Sequence, residues 1–512
     1  VTDRGHPVRL SAQREHPLKK VLPQYLSGRR SLADRMSALR SRKSGPTSSS
    51  ALQQAKVGCL LLVQCTCISR NSFLLKITYF THQYLPRHIG GTEVYTHGLA
   101  VRARGAGHTV RVITYVESPS LDPSDYQAVH TEHDGIPVTE LHHNLSRAPD
   151  PARAEYDNPH IAELLRRELE TDRPDLVHAL HVMKLSGAAL QVCYDLNLPV
   201  VLTLADYWPI CPRHVLVRSN QQLCSGPQHD LDCMRCLHDT HGFAAGPAQK
   251  LPFPILRVVS SLGSTVLKRS RFWRDIHAIR QRQTYLQQMV ERADRVIALS
   301  DFQKAMFVLN GYSAEKIQVL HHGLETASLR PATPSTDKEL EIVFIGSLVY
   351  HKGPHILLEA LARHRELKAR LLLYGDAGGS NRYLESLKKL AAADSRVKLM
   401  GTFPLDEMGR VLETANVLAM PVLWYENEPL VVKAARFAGV PVLASDIGTL
   451  ADSIDHGVNG WLLPPGDVAA WAEAIATLNP NPLSPDASIK SMDQNAQELF
   501  DIYQEIIRRK DV

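Results

Sequence analysis

The sequence predicts an α/β protein of two parallel-sheet domains in succession, facing an interdomain cleft. Three observations predict it. Short β-favouring apolar runs alternate with helix-periodic runs from Phe73 to Leu478. A Pro/Ser/Thr stretch, Pro331–Asp337, interrupts that rhythm, which then starts afresh. Each half opens with a strand and a glycine-containing loop, the Rossmann-like order.

In the first half, Phe73–Phe80 reads as a strand and Pro86–Glu93 as its glycine loop. Thr92 is placed to cap a helix running to about Arg104, which Gly107-His108 closes. Thr109–Tyr115 is the second strand. Helix Ile161–Thr171 precedes strand Leu176–His181, and the helical stretch Ser186–Leu196 precedes strand Pro199–Leu204. A long basic amphipathic stretch, Pro254–Arg292, leads into strand Arg295–Leu299. Helix Asp301–Leu309 and strand Ile317–Leu320 complete this half. In the second half, strand Leu340–Ile345 runs into the loop Gly346–Gly353 and helix His355–Arg365. Strand Arg370–Tyr374 ends in Gly375-Asp376-Ala377-Gly378-Gly379. Helix Asn381–Ala393, strand Val397–Met400, helix Asp406–Thr414 and strand Val417–Met420 follow. Helix Leu430–Ala438, strand Val440–Ala444, a short helix near Leu450–Asp455 and helix Asp467–Leu478 end the alternation, and Ser491–Arg509 forms a last helix. The expected organisation is an extension over 1–70, Rossmann-like domains over 71–330 and 338–480, and a tail with a helix over 481–512.

At 44 % hydrophobic and 22 % charged residues, the composition excludes a wholly disordered, collagen-like or disulfide-scaffold protein. The net charge of +5 is unevenly spread. Residues 1–56 hold 12 Lys+Arg against three acids, leaving 46 against 50 in the other 456 residues. A mildly acidic body argues against nucleic acid as a partner. The leader reads as a basic, disordered extension, with a transit peptide or a basic arm as the other readings. No apolar run reaches the ~18 residues of a membrane helix. Eight cysteines in 512 residues do not make a disulfide framework, so a cytoplasmic location is expected. Leu267–Arg274 mixes bases with aromatics: a solvated helix face, or a peripheral contact with the inner face of a membrane.

Three features of the second half point to a bound diphosphate. Lys352 lies, with Ser347, in a loop at a strand's carboxyl end, where such sheets bind ligands. Gly375 lets the backbone approach a ligand closely, and the Asp376 carboxylate can accept from sugar or base donors. Pro429 suits a first helical position, which leaves the Leu430 and Val431 amides as donors at a positive helix end. In the first half, His181 ends its strand at the predicted cleft. Asp206 either shares that place or caps the following turn. His322, before Gly323, either approaches the diphosphate or shapes a turn. Cys211, Cys224, Cys233 and Cys236 have the ligand count of a closed structural zinc site; buried thiols and redox disulfides are the other readings.

As a set, these stretches resemble the retaining GT-B glycosyltransferases of the group 1 or family 4 clan. The resemblance lies in Ile89–Glu93 with Gly107-His108, Asp175–His181, Thr203–Trp208 with Cys211-Pro212-Arg213, and Ala293–Ser300. It continues in Phe344–Gly353, Glu426–Leu430, Gly439–Asp446 and Gly457–Leu463, about four fifths of the chain in all. It implies a nucleotide-diphosphate sugar donor held by the second domain and a glycan or lipid-linked acceptor held by the first. Lys352 would neutralise the diphosphate, Glu426 would contact the donor sugar, and Gly90 and Gly91 would bring amides to the phosphate. Glu426, His181 and Asp206 form the expected catalytic set, with no catalytic metal. Base choice would fall to the loop Gly401–Phe403. Two positions depart from the pattern. The family's second motif glutamate falls at Ala434, and its cleft histidine falls at Ala205. Each lost charged hydrogen bond costs ~1.5–3 kcal/mol. The departures imply either an enzyme with impaired activity or a degenerate GT-B protein that binds a sugar nucleotide or partner without turnover.

Overall fold

The computed structural model describes residues 73–122, 125–227, 230–241, 271–333, 339–376, 382–478 and 483–510. The leader, Leu267–Ser270 of the basic–aromatic stretch, residues 334–337 of the interruption and Ala377–Gly379 lie outside the described residues. The compact unit Asn71–Val512 is built on two sheets.

The first sheet has eight strands. They are β1 (Lys76–Thr81), β2 (Thr109–Glu117), β3 (Tyr126–His133), β4 (Ile136–His143), β5 (Leu176–Ala179), β6 (Val200–Leu204), β7 (Arg295–Ala298) and β8 (Ile317–Val319). Their order is β3-β4-β2-β1-β5-β6-β7-β8. All neighbours pair in parallel except β3, which runs antiparallel to β4 at the edge. The second sheet is parallel throughout: β9 (Leu340–Ile345), β10 (Ala369–Tyr374), β11 (Val397–Gly401), β12 (Val417–Met420), β13 (Val442–Ser445) and β14 (Gly460–Leu463), in the order β11-β10-β9-β12-β13-β14. Every residue of β5, β6, β12 and β13 is buried, as befits parallel strands covered on both faces.

The strand orders locate the clefts. From β1 the chain winds outward to β2, then returns to place β5 on the other side of β1. The same reversal puts β9 between β10 and β12. Ligands in open α/β sheets bind outside the carboxyl ends of strands at such switch points. Residues just after β1, β5, β9 and β12 are therefore the ones to inspect.

Three features differ from the sequence reading. The β3–β4 hairpin was not anticipated. Its turn, Asp134-Gly135, holds φ of 50° and 73°, the paired left-handed geometry of a two-residue hairpin. Its first strand is mostly polar and nowhere fully buried, so it carries no apolar run to read. The helix Gly91–Gly105 is capped by Gly90 in extended conformation, and Thr92 lies inside its first turn. Pro429 is likewise the N-cap of helix Leu430–Ala438 and not its first residue.

The last helix, Met492–Lys510, returns to the first sheet. Leu499, Phe500, Tyr503 and Ile506 join Leu75, Ile77, Tyr95 and Leu99 in one buried core. Tyr503 Oη meets His178 Nδ1 at 2.5 Å, and His178 Nε2 meets Thr203 Oγ1 at 2.8 Å. Burial holds the His178 pKa down at about 3, so it is a neutral core side chain. The second sheet has its own core around Phe344, Leu357, Leu371, Leu443 and Trp471.

Candidate active-site cleft

In the second lobe, the loop after β9 tightens into a 3-10 turn, Tyr350–Lys352, and closes at Gly353 with φ 73°. A Cβ at Gly353 would overlap the Pro421 carbonyl just beyond β12, so glycine there lets the two strand ends meet. Lys352 is thereby delivered to Glu426: Nζ donates to Oε1 at 2.6 Å. Trp424 Nε1 donates to the same oxygen at 2.7 Å, and the Lys352 ammonium lies 4.8 Å from the Trp424 ring centroid. Glu426 is 5 % exposed, an acid held at the cleft by a cation and an indole.

Gly375 closes the other flank. Its φ is 143°, and a Cβ would overlap the Gly346 carbonyl. Leu348 N donates to Asp376 O at 3.0 Å, so Ser347, Gly375 and Asp376 line adjacent strand ends. Helix Leu430–Ala438 starts beside them, and its first amides, Leu430 and Val431, precede its own hydrogen-bond ladder.

Glu428, whose side chain is 6 % exposed, is a site residue that the sequence reading missed. Its oxygens meet Lys433 Nζ at 2.6 Å, His321 Nδ1 at 2.7 Å and His322 N at 2.6 Å. Burial pushes its pKa up, but the His321 hydrogen bond and the Lys433 charge hold it below the ordinary value. His322 sits between Glu428 and Tyr95, its ring centroid 3.8 Å from the tyrosine's. Burial pushes its pKa down to about 4, so it faces this region as a neutral imidazole.

In the first lobe, a second cluster forms where β1, β5 and β6 end. His181 Nδ1 accepts from Met183 N at 3.2 Å, which leaves Nε2–H to donate to Asp206 Oδ2 at 2.8 Å. Asp206 Oδ1 accepts from Trp208 N at 2.7 Å, so the carboxylate both caps its turn and pairs with the histidine. Burial pushes the Asp206 pKa up, yet the charges and hydrogen bond of His181 and His214 keep it below the ordinary value. His82, which directly follows β1, lies with its ring centroid 4.1 Å from that of His181 and its Nε2 3.6 Å from Glu93 Oε1. Burial depresses the His82 pKa and raises that of Glu93. Glu93 folds back over the helix start, where a Cβ at Gly90 would lie 2.5 Å from its Oε2, whereas a Cβ at Gly91 would meet nothing within 4 Å. Neither His82 nor Glu93 was singled out from sequence, although His82 holds the same post-strand position as His181.

The lobes meet between these clusters. Asn427 Nδ2, adjacent to Glu426, donates to the Ala205 carbonyl, adjacent to Asp206, at 2.7 Å. Gln303 Nε2 donates to Asn427 Oδ1 at 3.1 Å and to Leu204 O at 2.7 Å. At position 205 a main-chain carbonyl thus makes the contact. Ala434 is 1 % exposed and lines a small cavity with Tyr95, Leu430 and Met408, where Glu325 brings an acid.

Cys211, Cys224, Cys233 and Cys236 line one cavity, and none is in a disulfide. Among the described residues, the His/Cys/carboxylate trio whose ligand atoms lie within 4.8 Å of one another is instead His97, His133 and Asp134. No described helix is long and apolar enough to cross a membrane.

The family model "Glycosyltransferase Family 4" matches residues 89–328, and "Glycosyl transferases group 1" matches residues 339–481. D-inositol 3-phosphate glycosyltransferase of Corynebacterium efficiens is 30 % identical over 232 residues, 41 % of this chain and 53 % of that protein. The protein of the same name from Corynebacterium urealyticum is 32 % identical over 216 residues, 38 % of this chain and 50 % of its own length. The chain thus spans about half the length of the curated relatives it matches. Among solved structures, sucrose-phosphate synthase of Thermosynechococcus elongatus covers 85 % of this chain and 97 % of its own, with a TM-score of 0.53 at 18 % identity. HepE of Anabaena, solved with UDP-glucose, covers 85 % and 99 %, with a TM-score of 0.51 at 20 % identity. The chain therefore carries a family 4 glycosyltransferase domain followed by a group 1 glycosyl transferase domain, arranged as the two lobes of a GT-B fold.

Proposed function

We propose that the protein is a retaining glycosyltransferase that moves a sugar from a nucleotide-diphosphate sugar to a glycan or lipid-linked acceptor. The observation that carries this reading is the Lys352–Glu426 pair at the β9/β12 switch point, set across the Asn427–Ala205 contact from His181 and Asp206. Cleaving an anomeric C–O bond leaves negative charge on the diphosphate and cationic character on the sugar. Lys352 and the Leu430 and Val431 amides stabilise the first as preorganised donors. The Glu426 carboxylate favours the second. Gly91 has room beside it for a phosphate to reach the amides of its helix start. Charge neutralisation by lysine and amides leaves no step that requires a catalytic metal. The acceptor attacks from the face the diphosphate leaves, which retains configuration. HepE, of the same fold, was solved in complex with UDP-glucose, a nucleotide-diphosphate sugar. The protein works in the cytoplasm, at the inner face of a membrane where its acceptor is lipid-linked.

A second reading has one observation in its favour. Ala434 itself supplies no carboxylate, the acid in this cavity being Glu325 from another segment, so a protein that binds a sugar nucleotide without turnover fits the same cleft. Incubation with UDP-, GDP- and ADP-sugars separates the two. Hydrolysis or transfer, with the product's anomeric configuration read by NMR, supports the enzyme. Calorimetric binding without turnover supports the second reading, and an inverted product removes the retaining course.

A further inference from the structure

We propose that Cys211, Cys224, Cys233 and Cys236 bind one zinc ion, and that this ion fixes a wall of the interlobe crevice. The four cysteines come from two segments. Cys211 and Cys224 flank a loop folded on itself, with Val217 bridged to Leu223 and Cys224 N donating to Leu216 O at 2.8 Å. Cys233 and Cys236 stand three apart on helix Asp230–His241 and so share one face. All four line a single cavity of ≈ 200 Å³.

The lining suits the charge of such a centre. Zinc with four thiolates carries a charge of about −2. Arg213, Arg218 and Arg235 line the same cavity against one acid, Asp232. Arg213 Nη1 donates to Cys236 Sγ at 3.5 Å, the outer-shell N–H to sulfur bond that orients a metal thiolate. The loop also needs a constraint. His214, Leu216 and Gln221 hold left-handed φ of 51°, 49° and 64° without being glycine. A Cβ is strained in that region, and a crosslink between Cys211 and Cys224 would hold the loop in it. With Zn–S bonds of about 2.3 Å, the ion must bring the sulfurs closer together than they stand, because no three of them lie within 4.8 Å of one another among the described residues.

Drawing them together has a consequence in the cleft. Gln221 and Leu223, between the two loop cysteines, line a cavity of ≈ 560 Å³ with Tyr350, His355 and Leu423 of the second lobe. Tyr350 is two residues from Lys352. The ion therefore sets the width of the crevice beside the proposed donor site, and this half of the inference rests on the glycosyltransferase reading.

The test uses the full chain purified without chelator. Elemental analysis should give one zinc per chain. Exchange for cobalt should produce intense thiolate-to-metal charge-transfer bands, which Cys233→Ser with Cys236→Ser abolishes. His97→Ala with His133→Ala should leave those bands intact; cobalt that binds without thiolate bands and is lost in that double variant would place the metal at His97, His133 and Asp134 and overturn the proposal. Reactive thiols mapped to these four cysteines, or a disulfide among them, with no thiolate band on adding cobalt, would also overturn it. Should the double serine variant fail to fold, chelation of the wild-type chain supplies the second measurement. Hydrogen exchange over residues 211–227 should then rise while β9–β13 stay protected; unchanged exchange rejects the site. Chelation should also weaken nucleotide-sugar affinity about tenfold. Zinc present with unaltered affinity removes the wall and keeps the site. Zinc present with no sugar nucleotide bound at all removes the glycosyltransferase reading instead.

Discussion

Lys352 and Glu426 stand 74 residues apart in sequence and 2.6 Å apart in space. Before a donor arrives, the carboxylate is the lysine's counter-ion. A diphosphate would share that charge at the moment the leaving group forms. Lys352→Ala should therefore lower kcat/KM by roughly 10²–10³-fold with the fold intact, as loss of a preorganised charge-stabilising donor does. A variant with wild-type turnover on its best donor would remove Lys352 from the mechanism. Lys352 was singled out because a lysine in a post-strand glycine loop is a local signal, and Glu426 through the family resemblance; their pairing was not read. Glu428 was not singled out, since its role is created by His321 and His322, which arrive from the far lobe. That contact predicts a pH dependence. The Glu428 hydrogen bond raises the His321 pKa above 6.5, outweighing burial. A raised histidine pKa contributes stability that is fully present below 6.5 and fades as pH climbs through the folded value. The stability gap between wild type and His321→Gln should thus be widest below pH 6.5 and narrow as the pH rises above it. A gap that is flat with pH, measured by urea unfolding, would discard this assignment.

At the scale of elements, the alternation of strands and helices was readable because buried parallel strands are continuous apolar runs bounded by turn residues. The β3–β4 hairpin escaped because an edge strand with one wet face has a diluted pattern. The destination of the last helix was also out of reach. Its apolar positions mark it as amphipathic, but nothing local says which lobe receives them. The structure gives them to the first sheet, where Leu499 is 1 % and Tyr503 0 % exposed. Leu499→Ala should accordingly cost about 2–5 kcal/mol. Tyr503→Phe removes the partner of buried His178 Nδ1 and should cost about 1–3 kcal/mol. Both losses should appear in the unfolding of the first lobe, read by hydrogen exchange in β1 and β5, with β9 and β12 spared. Equal loss of protection in both sheets would mean that the helix serves the whole unit rather than one core.

On the scale of the whole molecule, the +5 charge says little about function. Residues 1–56 account for more than all of it, and the rest of the chain is net acidic. Short-range polar contacts join the lobes beside the Phe302–Tyr425 ring pair, whose centroids are 5.1 Å apart. Asn427 reaches from the donor side to the Ala205 carbonyl, Gln303 reaches to Asn427, and Ser300 Oγ meets Thr449 Oγ1 at 2.8 Å. The contact at position 205 is made by the main-chain carbonyl, which any residue there would offer, so it joins the lobes without replacing the side chain that Ala205 lacks. Asn427→Ala would leave the Ala205 carbonyl without this donor and remove the acceptor for one of the two Gln303 Nε2 bonds. A buried group left unsatisfied costs about 1–3 kcal/mol, and here the cheapest escape is to let water in by parting the lobes. Asn427→Ala should therefore enlarge the radius of gyration in solution scattering and lower transfer about tenfold or more, while each lobe keeps its hydrogen-exchange protection. If the variant scatters like the wild type and still loses activity, Asn427 acts on the substrate and not on the lobes. If it neither opens nor slows, the contact carries no weight in bringing Lys352 and Glu426 to face His181 and Asp206.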